Sequence, residues 1–358
     1  MSTKHPSYNG RMMKALRLEP VDQTPIWLMR QAGRYMAEYR AVRSATNFLD
    51  LCRNPDLCAE VMLTAVERLG VDAAIIFSDL LPILQAMGMD LEFAAGEGPV
   101  IHNAIQDTSQ VDILQELEDA QALDFVYQTV QKTRAGLNEN IPVIGFSGAP
   151  FTLASYAVEG GASRDYARTK YIMYTDAGAW SALMSRLSRA ITLYLTEQIK
   201  AGAQIVQLFD SWVGCLGVSD YENFVLSYVQ QIIHNLKTSF PETPVIYFAT
   251  GNPMLLPSIS RCGGDCIGVD WRIEINTAWD IIGHHLSIQG NMDPLVLLTK
   301  PEIIRHHVSR ILHQTAGRPG HIFNLGHGIN KNTPVENVIA LVKMVHEMTE
   351  CPLSKNNL

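Results

Sequence analysis

The sequence predicts an α/β protein, a single-domain (β/α)8 barrel of the TIM type, on three observations. Eight short runs are largely apolar on both faces, as buried parallel strands are. Segments with helical periodicity separate them. No Pro/Gly/Ser-rich linker or low-complexity tract divides the chain, so residues 1–358 read as one domain.

The runs are "TPIWLMR" (24–30), "DAAIIFSD" (72–79), "IPVIGFSG" (141–148), "AQIVQLFDS" (203–211), "TPVIYFAT" (243–250), "DCIGVDW" (265–271), "LSIQGNMD" (286–293) and "GHIFNLGHG" (320–328). "LEFAAGEGPVI" (91–101) reads as a hairpin inserted after the second run. Helices are expected over 55–70 and over 179–202, the latter closed by Gly202. Another opens with Ser219 and Glu222 in capping-box spacing. Thr333, Pro334 and Glu336 repeat that device before the last helix, with Pro334 at the first helical position. A doubly wound sheet is the rival, but it wants a Gly-rich phosphate loop after the first strand. That place holds Arg30-Gln31-Ala32-Gly33-Arg34.

Charged residues make up 18% of the chain, below the roughly 25% of ordinary soluble domains, so few charges are spare. The net charge of −8 and pI near 5.8 argue against nucleic acid or an anionic membrane as partner. No apolar run reaches the ~20 residues that span a bilayer, and the first residues lack a secretory core. The six cysteines are scattered, which suits a reduced, cytoplasmic protein.

Barrel active sites lie at the carboxyl ends of the strands. Here those ends carry Arg30, Asp79, Ser147/Gly148, Asp210/Ser211, Thr250/Asn252, Asp270, Asn291/Asp293 and His327. On an acidic chain, Arg30, Arg34, Arg40 and Arg43 in one short stretch suggest an anionic ligand held by guanidinium forks. Arg40 and Arg43 have a second reading, as a solvated loop paired with Glu38 and other local acids. Asp79, after four apolar residues, is either functional or ion-paired with an arginine. His327 sits between glycines, which lets a ligand approach; a structural or metal-bound histidine is the alternative. Cys262 and Cys266 flank "GGD", a weak metal signal better read as packing. No Gly-x-Ser-x-Gly elbow, Walker loop or His-Glu-x-x-His occurs, and lysine is sparse at strand ends.

Several stretches resemble one family. "PIWLMRQAGRYMAEYR" is similar to the first signature of the uroporphyrinogen decarboxylases. "IIFSDLLPILQAMGM", "GFSGAPFTLASYAVEGG", "LFDSWVG", "QGNMDP" and "FNLGHGI" resemble its further motifs, in order. The stretches around 247–271 and 327–338 depart from the family pattern. The resemblance implies conversion of the four acetates of uroporphyrinogen III to methyls, giving coproporphyrinogen III for haem synthesis. It implies no metal, no cofactor and a homodimer. Residue by residue, it implies that Arg30, Arg34 and Arg43 meet substrate carboxylates and that Asp79 faces the centre of the macrocycle. Tyr156 becomes a site tyrosine, and Arg30, Asp79 and Tyr156 the catalytic group. Ser211 and His327 contact substrate, and Phe146 and Phe209 line the apolar cleft. The nearest rival, a zinc-dependent methyltransferase of similar barrel, would want a His-x-Cys pair where this chain has "YFATGN". A non-catalytic tetrapyrrole carrier would need the arginines but not Asp79 and Tyr156.

Overall fold

The structure, a computed structural model, describes residues 9–94 and 98–350. Its strands in chain order are β1 (Ala74–Ile75), β2 (Leu91–Ala94), β3 (Gly98–Ile101), β4 (Val143–Gly148), β5 (Ile205–Asp210), β6 (Val245–Ala249), β7 (Cys266–Gly268), β8 (Ser287–Met292) and β9 (His321–Leu325). The expected hairpin forms as antiparallel β2–β3. The other seven make one parallel sheet in the order β1-β4-β5-β6-β7-β8-β9, each strand followed in the chain by helix. Among the described residues, no helix is long and apolar enough to cross a membrane.

The first predicted strand is a correction. Residues 24–30 hold a single bridge, Ile26 to Phe323, instead of a ladder. Pro25 has no N–H to give; its carbonyl accepts the Phe323 amide at 2.8 Å. Side chains then do what ladder bonds do elsewhere. Asp72 Oδ2 accepts the Ile26 amide at 2.8 Å, and Ile26 O accepts the Asp72 amide at 2.8 Å. Gln31 takes the Leu28 amide at 3.1 Å and gives its own amide to Ala73 O at 3.0 Å, while Asn324 accepts the Met29 amide at 3.2 Å. The segment therefore fills the gap between β9 and β1 and acts as the eighth stave.

The interior is closed in layers. Phe146, Phe209 and Phe248 meet edge-to-face, with centroids 5.5 and 5.9 Å apart. A buried amide chain runs from Trp27 Nε1 to Gln289 (2.8 Å) and on to Gln207 (3.2 Å). Phe146 is also held from behind. Gln198, on the helix Ala177–Lys200, bonds both its N–H (2.8 Å) and its carbonyl (2.9 Å). Only Gly145 leaves space for that amide, since a Cβ there would lie 2.5 Å from Gln198 Oε1.

The helix Pro55–Leu69 ends at Gly70 with φ +71°, a left-handed closure; the helix expected to close at Gly202 ends at Lys200 with Ala201 as its cap, and Gly202 follows at φ +117°. Both expected capping boxes fail. The helix Val218–Phe224 starts two residues early, with Gly217 at the cap position and no side-chain cap, and Glu222 binds Ser258 and Arg261 instead. Before Val335–Thr349, Pro334 takes the capping position and the Thr333 hydroxyl is buried without a partner. At Glu222 a tertiary contact replaces the local cap; at Thr333 the helix simply begins one residue later, beyond Pro334.

Candidate active site

Because the seven sheet strands are parallel, their carboxyl ends open on one rim. Asp79 stands four residues beyond β1, with Oδ1 accepting the Leu81 amide at 3.1 Å. It keeps part of its surface open to the cleft, yet protein atoms crowd its carboxylate. Burial raises its pKa, against the pull of the Leu81 and Leu80 amides and of Arg30. Tyr156, on the helix Pro150–Glu159, has its phenol pushed up by burial and then by Asp79, while Arg30 draws it down. Burial and then Arg30 lower the His327 imidazole, with Asp270 opposing. Arg30 thus acts on Asp79, Tyr156 and His327 together. The structure brings these four residues to one place.

Arg30 is held in an unusual shape. Its φ is +62°, the left-handed region that non-glycine residues seldom occupy. The loop after β9 moulds its stem: a Cβ at Gly328 would lie 2.4 Å from its Cδ and 2.8 Å from its Cγ. The Ile329 amide, bonded to Met29 O at 3.0 Å, ties the two loops. Arg30 and Arg34 are exposed, and among the described residues neither is in an ion pair.

The rest of the arginine cluster separates. Arg40 folds back onto the carbonyls of Arg34 (2.9 Å) and Tyr35 (2.8 Å), so it braces the loop. Arg43 donates to the Thr46 carbonyl. It also acts on Tyr39 and on the Cys52 thiol, which feels Asp79 too. Neither pairs with Glu38, which goes to Arg68 at 3.1 Å. The local-acid reading of Arg40 and Arg43 is therefore corrected.

Phe146 and Phe209 lie among the interior rings, one buried and one half-buried. Ser211 is half-buried, its carbonyl accepting Thr250 Oγ1 at 2.9 Å. Much of the remaining rim polarity holds loops. Asn252 bonds Leu216 O (2.9 Å); Asp270 holds the Gly251 amide (2.8 Å) and Arg272 (2.5 Å). Asn291 ties down the carbonyls of Asp270 (2.9 Å) and Ile273 (2.7 Å), and Asp293 caps Leu295 N at 2.9 Å. Asp210 is wholly buried. Cys262 and Cys266 are buried free thiols, and among the described residues no three His, Cys, Asp or Glu side chains converge as a metal cage.

Sequence reasoning passed over three residues. Trp212 stacks on Tyr156 with centroids 3.8 Å apart, and Tyr166 lies 5.3 Å from the same indole. Gly328 shapes Arg30. An aromatic residue directly beyond a strand end was the available signal for Trp212; nothing local pointed to Tyr166.

Fold and rim define a barrel enzyme whose active-site cleft joins unpaired arginines to a crowded carboxylate. Its family follows from comparison. The description "Uroporphyrinogen decarboxylase (URO-D)" matches residues 7–348, and the chain belongs to that family. The uroporphyrinogen decarboxylase of Koribacter versatilis is 47% identical over 339 residues, covering 95% of this chain and 96% of that one. That of Chloroflexus aurantiacus is 48% identical over 337 residues, covering 94% and 95%. Among solved structures, a methyltransferase from Methanosarcina mazei has a TM-score of 0.77 at 20% identity, covering 94% of this chain and 98% of its own. A B12-independent methionine synthase from Shewanella sp. W3-18-1 has a TM-score of 0.53 at 9% identity, covering 82% and 88%. At such identities these two speak for the fold alone.

Proposed function

We propose that the chain, as one catalytic domain, removes CO₂ from the four acetate side chains of uroporphyrinogen III to give coproporphyrinogen III. The observation that carries this is Arg30: it has no ion-pair partner among the described residues, yet acts on Asp79, Tyr156 and His327 at once. A substrate with eight carboxylates needs such a local positive rim on an acidic protein, and arginine forks onto carboxylate where lysine would be a looser point charge.

The chemistry explains the rest. A carboxyl on a plain methylene does not leave readily, because the electrons have no sink. The pyrrole supplies one. Protonation of its α-carbon makes a cationic, iminium-like ring beside the acetate. Breaking the C–CO₂ bond sends its electron pair into that ring and leaves an exocyclic methylene; that carbon takes a proton to become methyl, and the α-carbon gives up its added proton to restore the pyrrole. Asp79, ionised, accepts pyrrole N–H groups and stabilises the ring cation. Tyr156 orients Asp79 or the substrate. Arg34 and Arg43 hold carboxylates, and Ser211 and His327 meet the polar edge. His327 does so as neutral imidazole, because its pKa is depressed. Phe146 and Phe209 keep water from the reacting ring. Arg30 holds the departing carboxylate: a guanidinium has donors only and is a poor acid, so its part is to bind. The family likeness supports a homodimer working in the cytoplasm.

Anaerobic incubation with uroporphyrinogen III, followed by oxidation and chromatography, counts the carboxyls. Stepwise loss from eight to four is expected. Tight binding with no loss would overturn the proposal in favour of a carrier.

A further inference from the structure

Asp210 ends β5 and turns its carboxylate into the shell of helices. Oδ1 accepts the Thr152 hydroxyl at 2.6 Å, and Oδ2 accepts the Tyr247 phenol at 2.7 Å. The Tyr221 phenol in turn donates to Tyr247 at 3.2 Å. Asp210, Thr152, Tyr221 and Tyr247 are all fully buried. The Thr152 oxygen makes a second bond, accepting the Trp212 amide at 3.3 Å. One hydroxyl therefore joins a strand end, the first turn of the helix Pro150–Glu159 and the loop beyond β5. The Ala149 amide, bonded to Phe209 O at 2.8 Å, fastens the same helix start to the same strand.

What this junction carries is Tyr156. It lies four residues after Thr152, on the same face of the helix. Its ring rests on the indole of Trp212, with centroids 3.8 Å apart. The hydroxyl thus sets both halves of the stack: the helix that bears the tyrosine and the loop that bears the tryptophan. We propose that Asp210 and Thr152 are positioning residues for the reaction, whose hydrogen bond sets Tyr156 against Trp212 and so at Asp79. This rests on the reading that Tyr156 serves the decarboxylation site. Small displacements of an orienting group are costly in rate, up to about 100-fold for 1 Å.

The bland alternative is that the bond only glues the fold. Thr152→Val keeps the shape and removes the hydroxyl; Thr152→Ser keeps the hydroxyl. We expect Thr152→Val to lower kcat by about 10-fold or more with KM within about twofold, and Thr152→Ser to restore it. In a Tyr156→Phe background, Thr152→Val should cause no further loss of kcat, since both changes act through one phenol. Losses that multiply, or a Thr152→Val enzyme with full kcat, would overturn the proposal. Hydrogen exchange of the segment 211–216 is the readout independent of turnover. Thr152→Val should speed it about 10-fold or more, because the Trp212 amide loses its acceptor, and Thr152→Ser should not. If the wild type never decarboxylates, the proposed reaction fails, and this exchange measurement still judges the clamp: unchanged rates in Thr152→Val would sink it.

Discussion

Asp79 is where stability and function oppose each other. Its raised pKa means that the folded state resists its charge. That cost is absent below the ordinary carboxylate range and grows as pH rises through the raised value. Asp79→Asn should therefore melt higher than wild type at neutral pH, with the difference closing on acidification, while turnover falls about 10³-fold and ligand binding survives. Calorimetry beside the carboxyl count checks both; a variant that loses stability at neutral pH would show that the carboxylate is a structural partner. The acid limb of kcat/KM should accordingly lie above the ordinary aspartate value of 3.8, since the ionised form acts. Gly328→Ala tests the mould around Arg30. A methyl there must displace the Arg30 stem, so KM should rise about 10-fold or more with the fold intact. Unchanged KM would mean that the Arg30 head is free to find its place without the mould.

At the scale of elements, the weak stave is the informative one. Residues 24–30 have the apolar run of a strand, and that run does lie between β9 and β1 in space. Its composition could not foretell that backbone pairing would shrink to Ile26. The cause is distributed: Pro25 withholds a donor, β1 spans only Ala74–Ile75, and Asp72, Gln31 and Asn324 come from elsewhere to satisfy the backbone. Asp72 carries most at this seam. Besides Ile26, it binds Arg11 at 3.0 Å and His346 at 2.8 Å, so both ends of the described chain meet on it. Asp72→Ala should cost about 1–3 kcal/mol in urea unfolding, because it leaves the buried Ile26 amide without its acceptor and takes one of two carboxylates from Arg11, which keeps Asp22. A loss under about 0.5 kcal/mol would make the hub ornamental. The failed capping boxes teach the same point from the other side. Ser219 and Glu222 have the spacing, but Glu222 finds Arg261 and Ser258, partners from a distant loop.

For the whole molecule, two buried ionisable groups pull stability in opposite directions with pH. Burial lowers the His321 imidazole to about 4, with only the Gly290 carbonyl to bond at 3.2 Å. Its contribution is present above the ordinary 6.5 and is lost as pH falls toward that lower value. Burial raises the Asp210 carboxyl to about 6, so its contribution is present below 3.8 and lost as pH rises through the raised value. His321→Gln removes the first effect and keeps a donor for Gly290. Its stability deficit against wild type at pH 7 should narrow by pH 5, measured by urea unfolding. A deficit that stays constant would mean that the imidazole is not held neutral in the native state.

The sequence by itself determined the fold class, the order of the strands, the inserted hairpin and the rim on which chemistry gathers. It did so because period, length and chain direction are local properties: a run apolar on both faces followed by a helix has few ways to be buried. The positions Arg30, Asp79 and His327 were legible for the same reason, as polar residues at or just beyond strand ends, whereas Tyr156, inside the helix Pro150–Glu159, was marked only by the family resemblance. Only the tertiary structure decided which polar rim residues face the cleft and which hold loops. Asp210 and Asp270 look like Asp79 in the sequence, yet one is bound by Thr152 and Tyr247 and the other by Arg272 and Gly251. It also set Trp212 under Tyr156, and Gly328 against Arg30 from the far end of the chain. A strand's direction says where a side chain starts; which neighbours meet it depends on contacts hundreds of residues apart, and those exist only once the barrel is closed.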